Sequence, residues 1–142
     1  MYEHVPGVAG GVKAFKVVTG QTLLKIPDNY PNWSGTLNTG GGVVFYGSLG
    51  GDFRAVDAKT GKIVWSRKLG SGIIGNPISY KIDGHQYVSV FAGIGGWIGL
   101  PITAGLDLSD KYGAIGATAM AKATHLNEIP QGGTLYTFRL AD

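Results

Sequence analysis

The sequence predicts an all-β fold assembled from repeated antiparallel sheets, and three observations support this prediction. Glycine contributes 25 of the 142 residues, far above the roughly 7% of an average protein. The glycines stand in pairs and triplets between short apolar runs, which is typical of strands joined by tight turns. A hairpin motif also recurs along the chain. With 44% apolar residues, the chain is expected to fold, and residues 1–142 are treated as one domain.

The recurring hairpin is clearest in AVDAKTGKIVW, residues 55–65. An apolar run enters a turn that ends at Gly61, and a second apolar run follows. The same pattern occurs at residues 10–24, offset by 41 residues, and a partial third copy occupies residues 132–140. A period of about 40–45 residues is typical of the four-stranded blades of a β-propeller. The repeat therefore predicts consecutive propeller blades.

Turn residues divide the chain into the strands that such blades need. Strands are predicted near residues 11–17, 21–25, 34–38, 42–48, 52–57, 62–68, 75–80, 86–92 and 133–139. This set corresponds to about two blades and a closing strand. Residues 98–131 break the pattern, and their small side chains predict an irregular insertion with one short helix. Because blades pack on one another, two blades alone are expected to be unstable, oligomeric or part of something larger.

The composition excludes several classes of function. The chain has no cysteine, so disulfides, cysteine-based zinc sites and thiol nucleophiles are absent. Its net charge of +3 comes from scattered basic residues, which does not predict a nucleic-acid surface. The sequence contains no apolar stretch long enough to span a membrane, and its first residues do not have the pattern of a secretory signal.

Neither the histidines nor the acidic residues predict a metal site. His4, His85 and His125 are far apart and lack ligand spacing. Asp107 and Asp110 lie in LDLSD, which lacks the spacing and the terminal Glu of a calcium-binding loop. We therefore interpret LDLSD as an ordered structural loop and expect no metal ligand among these residues.

The hairpin at residues 55–65 has the pattern Ala-x-Asp-x-x-x-Gly-x-x-x-Trp, which resembles the tryptophan-docking motif of quinoprotein alcohol dehydrogenases. The same resemblance is carried by NWSGTLNTGGGVVFYGSLGG, GSGIIGNPISY, FAGIGGWIGLP, TAGLDLSDKYGAIG and GGTLYTF. These segments are similar to the C-terminal quarter of methanol dehydrogenase large subunits. IGLPITAGLDLSD is most similar to the lanthanide-dependent type. The first copy of the motif departs from the pattern, with Lys16 and Leu24 in place of Asp and Trp.

The resemblance implies the final blades of an eight-bladed β-propeller in a periplasmic enzyme. Such an enzyme oxidises a primary alcohol to an aldehyde with pyrroloquinoline quinone (PQQ) and passes electrons to a c-type cytochrome. A lanthanide or calcium ion accompanies the quinone, and its ligands and the catalytic carboxylate lie outside this chain. The resemblance also implies that the rest of the propeller is required, that the complete enzyme is a homo-oligomer, and that this chain alone is inactive.

Two segments are candidates for contact with the cofactor. Trp33, with Asn32 beside it, belongs to PNWSG, and Gly96 and Trp97 belong to GIGGW. An indole offers a flat apolar face and one N–H donor, and glycine allows a planar anion to approach the backbone. Judged by residue type alone, Trp33 is a core tryptophan and the Gly96 segment a structural loop, whereas the resemblance implies cofactor binding by both.

Other residues of these motifs have structural interpretations. The resemblance places Trp65 between blades, where such a tryptophan stacks on a glycine peptide of the next blade, and Asp57 is interpreted as a turn residue. A different class of function, a non-catalytic propeller scaffold for assembly, would use the same docking hairpin. Such a scaffold would not require NWSG or GIGGW, so the presence of both segments favours the enzyme.

Overall fold

The computed structural model describes residues 7–141, which form three antiparallel sheets and a helical segment. The strands are β1 (Gly10–Phe15), β2 (Thr22–Asp28), β3 (Leu37–Asn38), β4 (Val43–Gly47), β5 (Asp52–Asp57), β6 (Ile63–Lys68), β7 (Ile78–Ile82), β8 (His85–Ala92) and β9 (Thr134–Arg139). Between β8 and β9 lie α1 (Gly96–Thr103), α2 (Gly113–Ala123) and a 3-10 turn (Leu126–Glu128). The all-β prediction and its order of strands are confirmed.

The sheets differ in size. The first contains β1 and β2, the second has the order β3-β4-β5-β6, and the third has the order β7-β8-β9. The expected four strands are therefore complete in the second sheet only. The strand predicted at residues 34–38 is reduced to Leu37–Asn38, because the chain preceding Leu37 leaves the ladder with β4. The predicted closing strand is β9, which pairs with β8.

The turn between β5 and β6 has the chemistry that the sequence predicts. The Asp57 carboxylate accepts hydrogen bonds from the Thr60 N–H and hydroxyl, both at 2.7 Å, and from the Lys59 N–H at 3.1 Å. Gly61 follows with a φ of +70°, a conformation that glycine adopts without steric cost. Asp57 is therefore a turn residue, and its side chain is used in closing the hairpin.

The main core lies between the second and third sheets. Its buried members are Phe45, Phe53, Ala55, Leu69, Ile73, Val88, Val90 and Ala92. Trp65 on β6 lies edge-on to Phe138 on β9, with ring centroids 5.1 Å apart, and edge-on to Phe53 at 6.0 Å. The predicted packing of Trp65 between sheets is confirmed. The rings that lie against Trp65 in this chain are Phe138 and Phe53, and the expected stacking on a glycine peptide of the next blade stays a prediction.

The first and second sheets meet at the equivalent position of the first repeat. Leu24, which aligns with Trp65, lies against Gly61: a Cβ added to Gly61 would be 3.5 Å from a Leu24 methyl carbon. Because Leu24 is smaller than Trp, packing around it is incomplete. A cavity of about 50 Å³ remains, lined by Val12, Ala14, Leu24, Ile26, Val44, Val56, Asp57 and Ala58.

The segment predicted as an irregular insertion is more helical than expected. Two α-helices and a 3-10 turn replace the single short helix, and α1 begins at Gly96, before the predicted boundary at 98. The helices pack in a second cluster of buried residues formed by Leu49, Ile98, Ala121 and Leu126. Gly99 and Pro101 disfavour a helix locally, and burial of the face that includes Ile98 explains why α1 forms nonetheless.

Candidate functional site

The two candidate segments lie against the same turn of the second sheet. Residues 48–51 connect β4 to β5, and the Leu49 N–H donates a hydrogen bond to the Pro31 carbonyl at 3.0 Å. Leu49 also belongs to the buried cluster that contains Ile98 of α1. The loop that carries Asn32 and Trp33 and the helix that carries Trp97 are therefore held at one end of the sheet.

Both candidate tryptophans are half exposed. Trp33 lies in the loop between β2 and β3, and 49% of its surface is accessible. Within the described residues Trp33 is therefore not in a buried core, and its contact with a cofactor stays a prediction. Trp97 is the second residue of α1, with 51% of its surface accessible. The glycine segment before it was expected to be a turn or loop, and the structure instead makes it the start of a helix.

Asn32 is fixed beside Trp33 by two acceptors. Its Nδ2 donates to the Asp28 carboxylate and to the Gly47 carbonyl, both at 3.4 Å, which sets the orientation of the amide. The Asn32 Oδ1 is buried and has no hydrogen-bond partner among the described residues. A buried carbonyl oxygen without a donor is costly. A hydrogen-bond donor placed next to this oxygen would therefore be stabilising.

Asp28 anchors the start of the same loop and was not identified from the sequence. The side chain is buried and forms an ion pair with Arg54 of β5. The Tyr30 N–H also donates to Asp28 at 3.2 Å. Removing either partner of a buried ion pair leaves an uncompensated charge, which is strongly destabilising. Asp28 therefore joins the first sheet, the loop and the second sheet through a single carboxylate.

Two further polar side chains hold the backbone on the other side of Trp33. The Ser34 hydroxyl bonds to both main-chain groups of Gly47 on β4. The Gly35 N–H donates to the Asn76 Oδ1 at 2.7 Å. Sequence reasoning missed both residues. Gly35 and Asn76 are 41 residues apart, which equals the repeat offset, but no local pattern in the sequence pointed to their contact.

The backbone before Trp97 is open to a ligand. Neither Gly95 nor Gly96 has a non-neighbouring atom of the described residues within 4 Å of the place that a Cβ would occupy. Gly95 caps α1 without a side-chain hydrogen bond, so the first N–H groups of the helix lack an intrahelical partner. Free N–H groups at a helix start favour anions. Together with the two accessible indoles, these N–H groups suit a planar anionic group.

Three of the histidine and aspartate side chains considered as metal ligands contact other side chains of this chain. His85 lies 3.0 Å from an Arg139 nitrogen, and His125 lies 2.9 Å from the Glu128 carboxylate. Hydrogen bonds from Ser109 lower the pKa of Asp107, which closes its own turn. His4 lies outside the described residues. Within residues 7–141, no group of three or more His, Asp or Glu side chains is placed to hold a metal ion.

These features define a class of protein: stacked antiparallel sheets of propeller type, with a helical segment before the last strand. Residues 7–88 match the PQQ domain family described as glucose/ethanol/alcohol dehydrogenase, β-propeller domain. The match covers more than half of the chain. The chain therefore belongs to this family of PQQ-dependent β-propeller dehydrogenases.

Relatives and solved structures agree with this assignment. The lanthanide-dependent methanol dehydrogenase of Methylacidiphilum fumariolicum is 43% identical over 92% of this chain and 22% of its own length. Subunit 1 of the methanol dehydrogenase [cytochrome c] of Paracoccus denitrificans is 38% identical over 93% of this chain and 20% of its own length. A europium-containing methanol dehydrogenase superposes with a TM-score of 0.83 and 44% identity, over 89% of this chain and 22% of that structure. The chain thus spans about a fifth of these proteins.

Proposed function

We propose that the chain forms the final blades of a PQQ-dependent alcohol dehydrogenase and contributes one wall of its cofactor site. The two half-exposed indoles, Trp33 and Trp97, carry this proposal, because both lie at the same end of the second sheet. The bound quinone supplies the redox chemistry that no amino-acid side chain provides. The role of this chain is to bind and orient the quinone and to exclude water from one side of it.

Each candidate residue has a separate task in this proposal. Trp33 and Trp97 offer flat apolar surface, and the Asn32 Oδ1 accepts a hydrogen bond. Gly96 and the free N–H groups at the start of α1 receive a carboxylate of the quinone. The chain supplies neither metal ligands nor the catalytic base, which we assign to other blades, together with a lanthanide or calcium ion.

The complete enzyme that we propose oxidises a small primary alcohol to an aldehyde and passes electrons to a c-type cytochrome. The names of the relatives support this, because they include methanol dehydrogenases and one that specifies cytochrome c. We further propose a periplasmic location, a homo-oligomeric enzyme and a single partial propeller domain over residues 1–142. None of the helices in the described part of the chain is long and apolar enough to cross a membrane.

The proposal is tested by titrating PQQ against the complete enzyme and against the 142-residue chain. We expect tight binding by the complete enzyme and weak binding by the chain, because the opposite wall of the site is missing. Trp33→Ala in the complete enzyme should weaken binding by about 5- to 150-fold, equivalent to roughly 1–3 kcal/mol.

An exposure-matched control separates contact from general destabilisation. Phe15 on β1 is 53% exposed and lies outside the proposed site, so Phe15→Ala should leave the affinity of folded enzyme for PQQ unchanged. Wild-type affinity in Trp33→Ala, or stoichiometric tight binding by the chain alone, would show that the site is placed wrongly.

A further inference from the structure

The loop that carries Trp33 is joined to its own sheet by a hydroxyl group. The β3–β4 ladder pairs Leu37 with Phe45, and the backbone before Leu37 leaves it. Before Leu37, the Ser34 side chain replaces the backbone as the hydrogen-bond partner of β4. Its Oγ accepts a hydrogen bond from the Gly47 N–H at 2.8 Å and lies 3.2 Å from the Gly47 carbonyl oxygen. A single side chain thus hydrogen-bonds the main-chain groups of Gly47 at the end of β4, where the loop leaves the sheet.

The same loop is joined to the third sheet by an amide. The Gly35 N–H donates to the Asn76 Oδ1 at 2.7 Å, and Asn76 precedes β7. A Cβ on Gly35 would collide with the Asn76 side chain, so the two residues fit closely. The segment on the C-terminal side of Trp33 is therefore attached to two different sheets within two residues.

We propose that Ser34 and Asn76 are positioning residues that set the place of the Trp33 indole before any ligand binds. This inference rests on the proposed function, in which Trp33 contacts the quinone. Because half of the Trp33 side chain is accessible, packing alone constrains its ring less than it would in a core. The backbone on either side must therefore hold the ring, and a pre-organised surface loses less entropy when a ligand binds.

The first test removes the Ser34 hydroxyl in the complete enzyme labelled with fluorotryptophan. We expect Ser34→Ala to broaden or split the ¹⁹F resonance of Trp33 in quinone-free protein, identified as the resonance that Trp33→Phe lacks. PQQ affinity should fall by about 2- to 10-fold, the effect of one net hydrogen bond. Ser34→Thr keeps a hydroxyl and should restore both properties.

Thr39 supplies a matched control at the opposite end of β4. Its hydroxyl donates to the Val43 carbonyl at 3.0 Å, also partly buried. Thr39→Ala therefore removes the same type of hydrogen bond from the same strand, away from Trp33. We expect the Trp33 resonance and the PQQ affinity to be unchanged in Thr39→Ala. An equal effect of both alanine variants on the resonance would overturn the positioning role.

Asn76 gives an independent test if Ser34→Ala does not fold. Asn76→Ala removes the acceptor of the Gly35 N–H, whereas Asn76→Asp keeps an oxygen in its place. The Trp33 resonance should broaden in Asn76→Ala and sharpen again in Asn76→Asp. The resonance is read without quinone, so the charge of the aspartate does not confuse the comparison.

The outcomes separate this inference from the proposed function. If Trp33→Ala leaves PQQ affinity unchanged, the proposed function is wrong. If Trp33→Ala weakens binding but Ser34→Ala and Asn76→Ala leave both the resonance and the affinity unchanged, the proposed function stands and the positioning role is wrong.

Discussion

At the scale of single residues, buried polar atoms hold the loop that carries Trp33 in place. The Asp28 carboxylate, which is 4% exposed, is shared between Arg54, Asn32 and the backbone N–H of Tyr30. Each contact compensates a group that would otherwise be costly to desolvate. The loop that carries Trp33 is consequently fixed through polar contacts rather than through its own apolar burial.

Gly96 and Gly95 form a natural pair for testing backbone strain. Both face open space, but Gly96 has a φ of +56° whereas Gly95 is extended with a φ of −156°. We expect Gly96→Ala to lower the free energy of unfolding by about 1–2 kcal/mol, the cost of a left-handed conformation for an L-residue. Gly95→Ala should change it by much less. Denaturant unfolding measures both, and equal losses would contradict this explanation.

Asp57 gives a pH-dependent prediction. Hydrogen bonds from the Thr60 side chain and backbone lower the pKa of Asp57 below its ordinary value of 3.8. Because the folded pKa lies below the unfolded one, the contribution of Asp57 to stability is present above pH 3.8 and is lost as the pH falls through the folded pKa.

The Thr60 hydroxyl is the first cause of that shift, so its removal provides the test. In Thr60→Val, the pKa of Asp57 should rise towards its ordinary value, as measured by NMR titration of the carboxyl carbon. Thr39→Val, which changes a threonine of another turn, should leave the Asp57 pKa unchanged. A pKa of Asp57 that does not move in Thr60→Val would show that the backbone bonds alone maintain the shift.

At the scale of the elements, the aligned position of the two repeats holds Leu24 in the first and Trp65 in the second, and each packs against the next sheet. Trp65 on β6 fills the space against the third sheet through its contacts with Phe138 and Phe53. Leu24 on β2 occupies the aligned position and packs on Gly61, with the 50 Å³ cavity beside it. The same repeat position thus packs a leucine on a glycine at one junction and a tryptophan on two phenylalanine rings at the other.

The junction of Trp65 and Phe138 can be measured by a double-mutant cycle. Trp65→Ala should cost about 3 kcal/mol, the low end for truncating a large aromatic residue because the indole is 37% exposed. The coupling free energy with Phe138→Ala should be about 0.5–1.5 kcal/mol. Leu140 also packs at the edge of this core, and Trp65→Ala with Leu140→Ala provides a control cycle. Purely additive losses for Trp65 and Phe138 would contradict direct packing between the sheets.

At the scale of the whole molecule, the outer face of the third sheet remains apolar and accessible. Ile78, Ile82, Phe91 and Leu135 are each between 51% and 63% exposed. In addition, Phe91 and Leu135 are directly opposite one another on β8 and β9. Exposed apolar patches of this kind mark interaction surfaces or association-prone faces. In the enzyme that we propose, another blade covers this face.

We therefore expect the isolated 142-residue chain to associate as its concentration rises, as observed by analytical ultracentrifugation. The double variant Phe91→Lys with Leu135→Glu places an opposite-charge pair on this face and should shift the chain towards monomer. Val17→Lys with Val18→Glu is a matched control, because both valines lie in the β1–β2 turn and are over 90% exposed. Association that persists in the first variant and disappears in the control would place the contact elsewhere.

The sequence by itself determined the repeat, the order of the strands and the chemistry of the hairpin turns. These features depend on local rules: alternating apolar residues favour strands, and Asp57 and Gly61 favour a tight turn wherever they occur. The resemblance of the hairpin to the tryptophan-docking motif, rather than a local rule, identified Trp65 as a packing residue. Trp33, Gly96 and Trp97 became site candidates through the family resemblance, because residue type alone favoured structural roles for them.

Only the tertiary structure decided how those candidates are held. Trp97 lies in the first turn of a helix because Ile98 is buried against Leu49, a residue almost fifty positions away, and local propensity opposed that helix. The bond between Gly35 and Asn76 likewise joins residues from different sheets. Contacts of this kind depend on which surfaces meet after the sheets have packed, and no local pattern in the sequence records them.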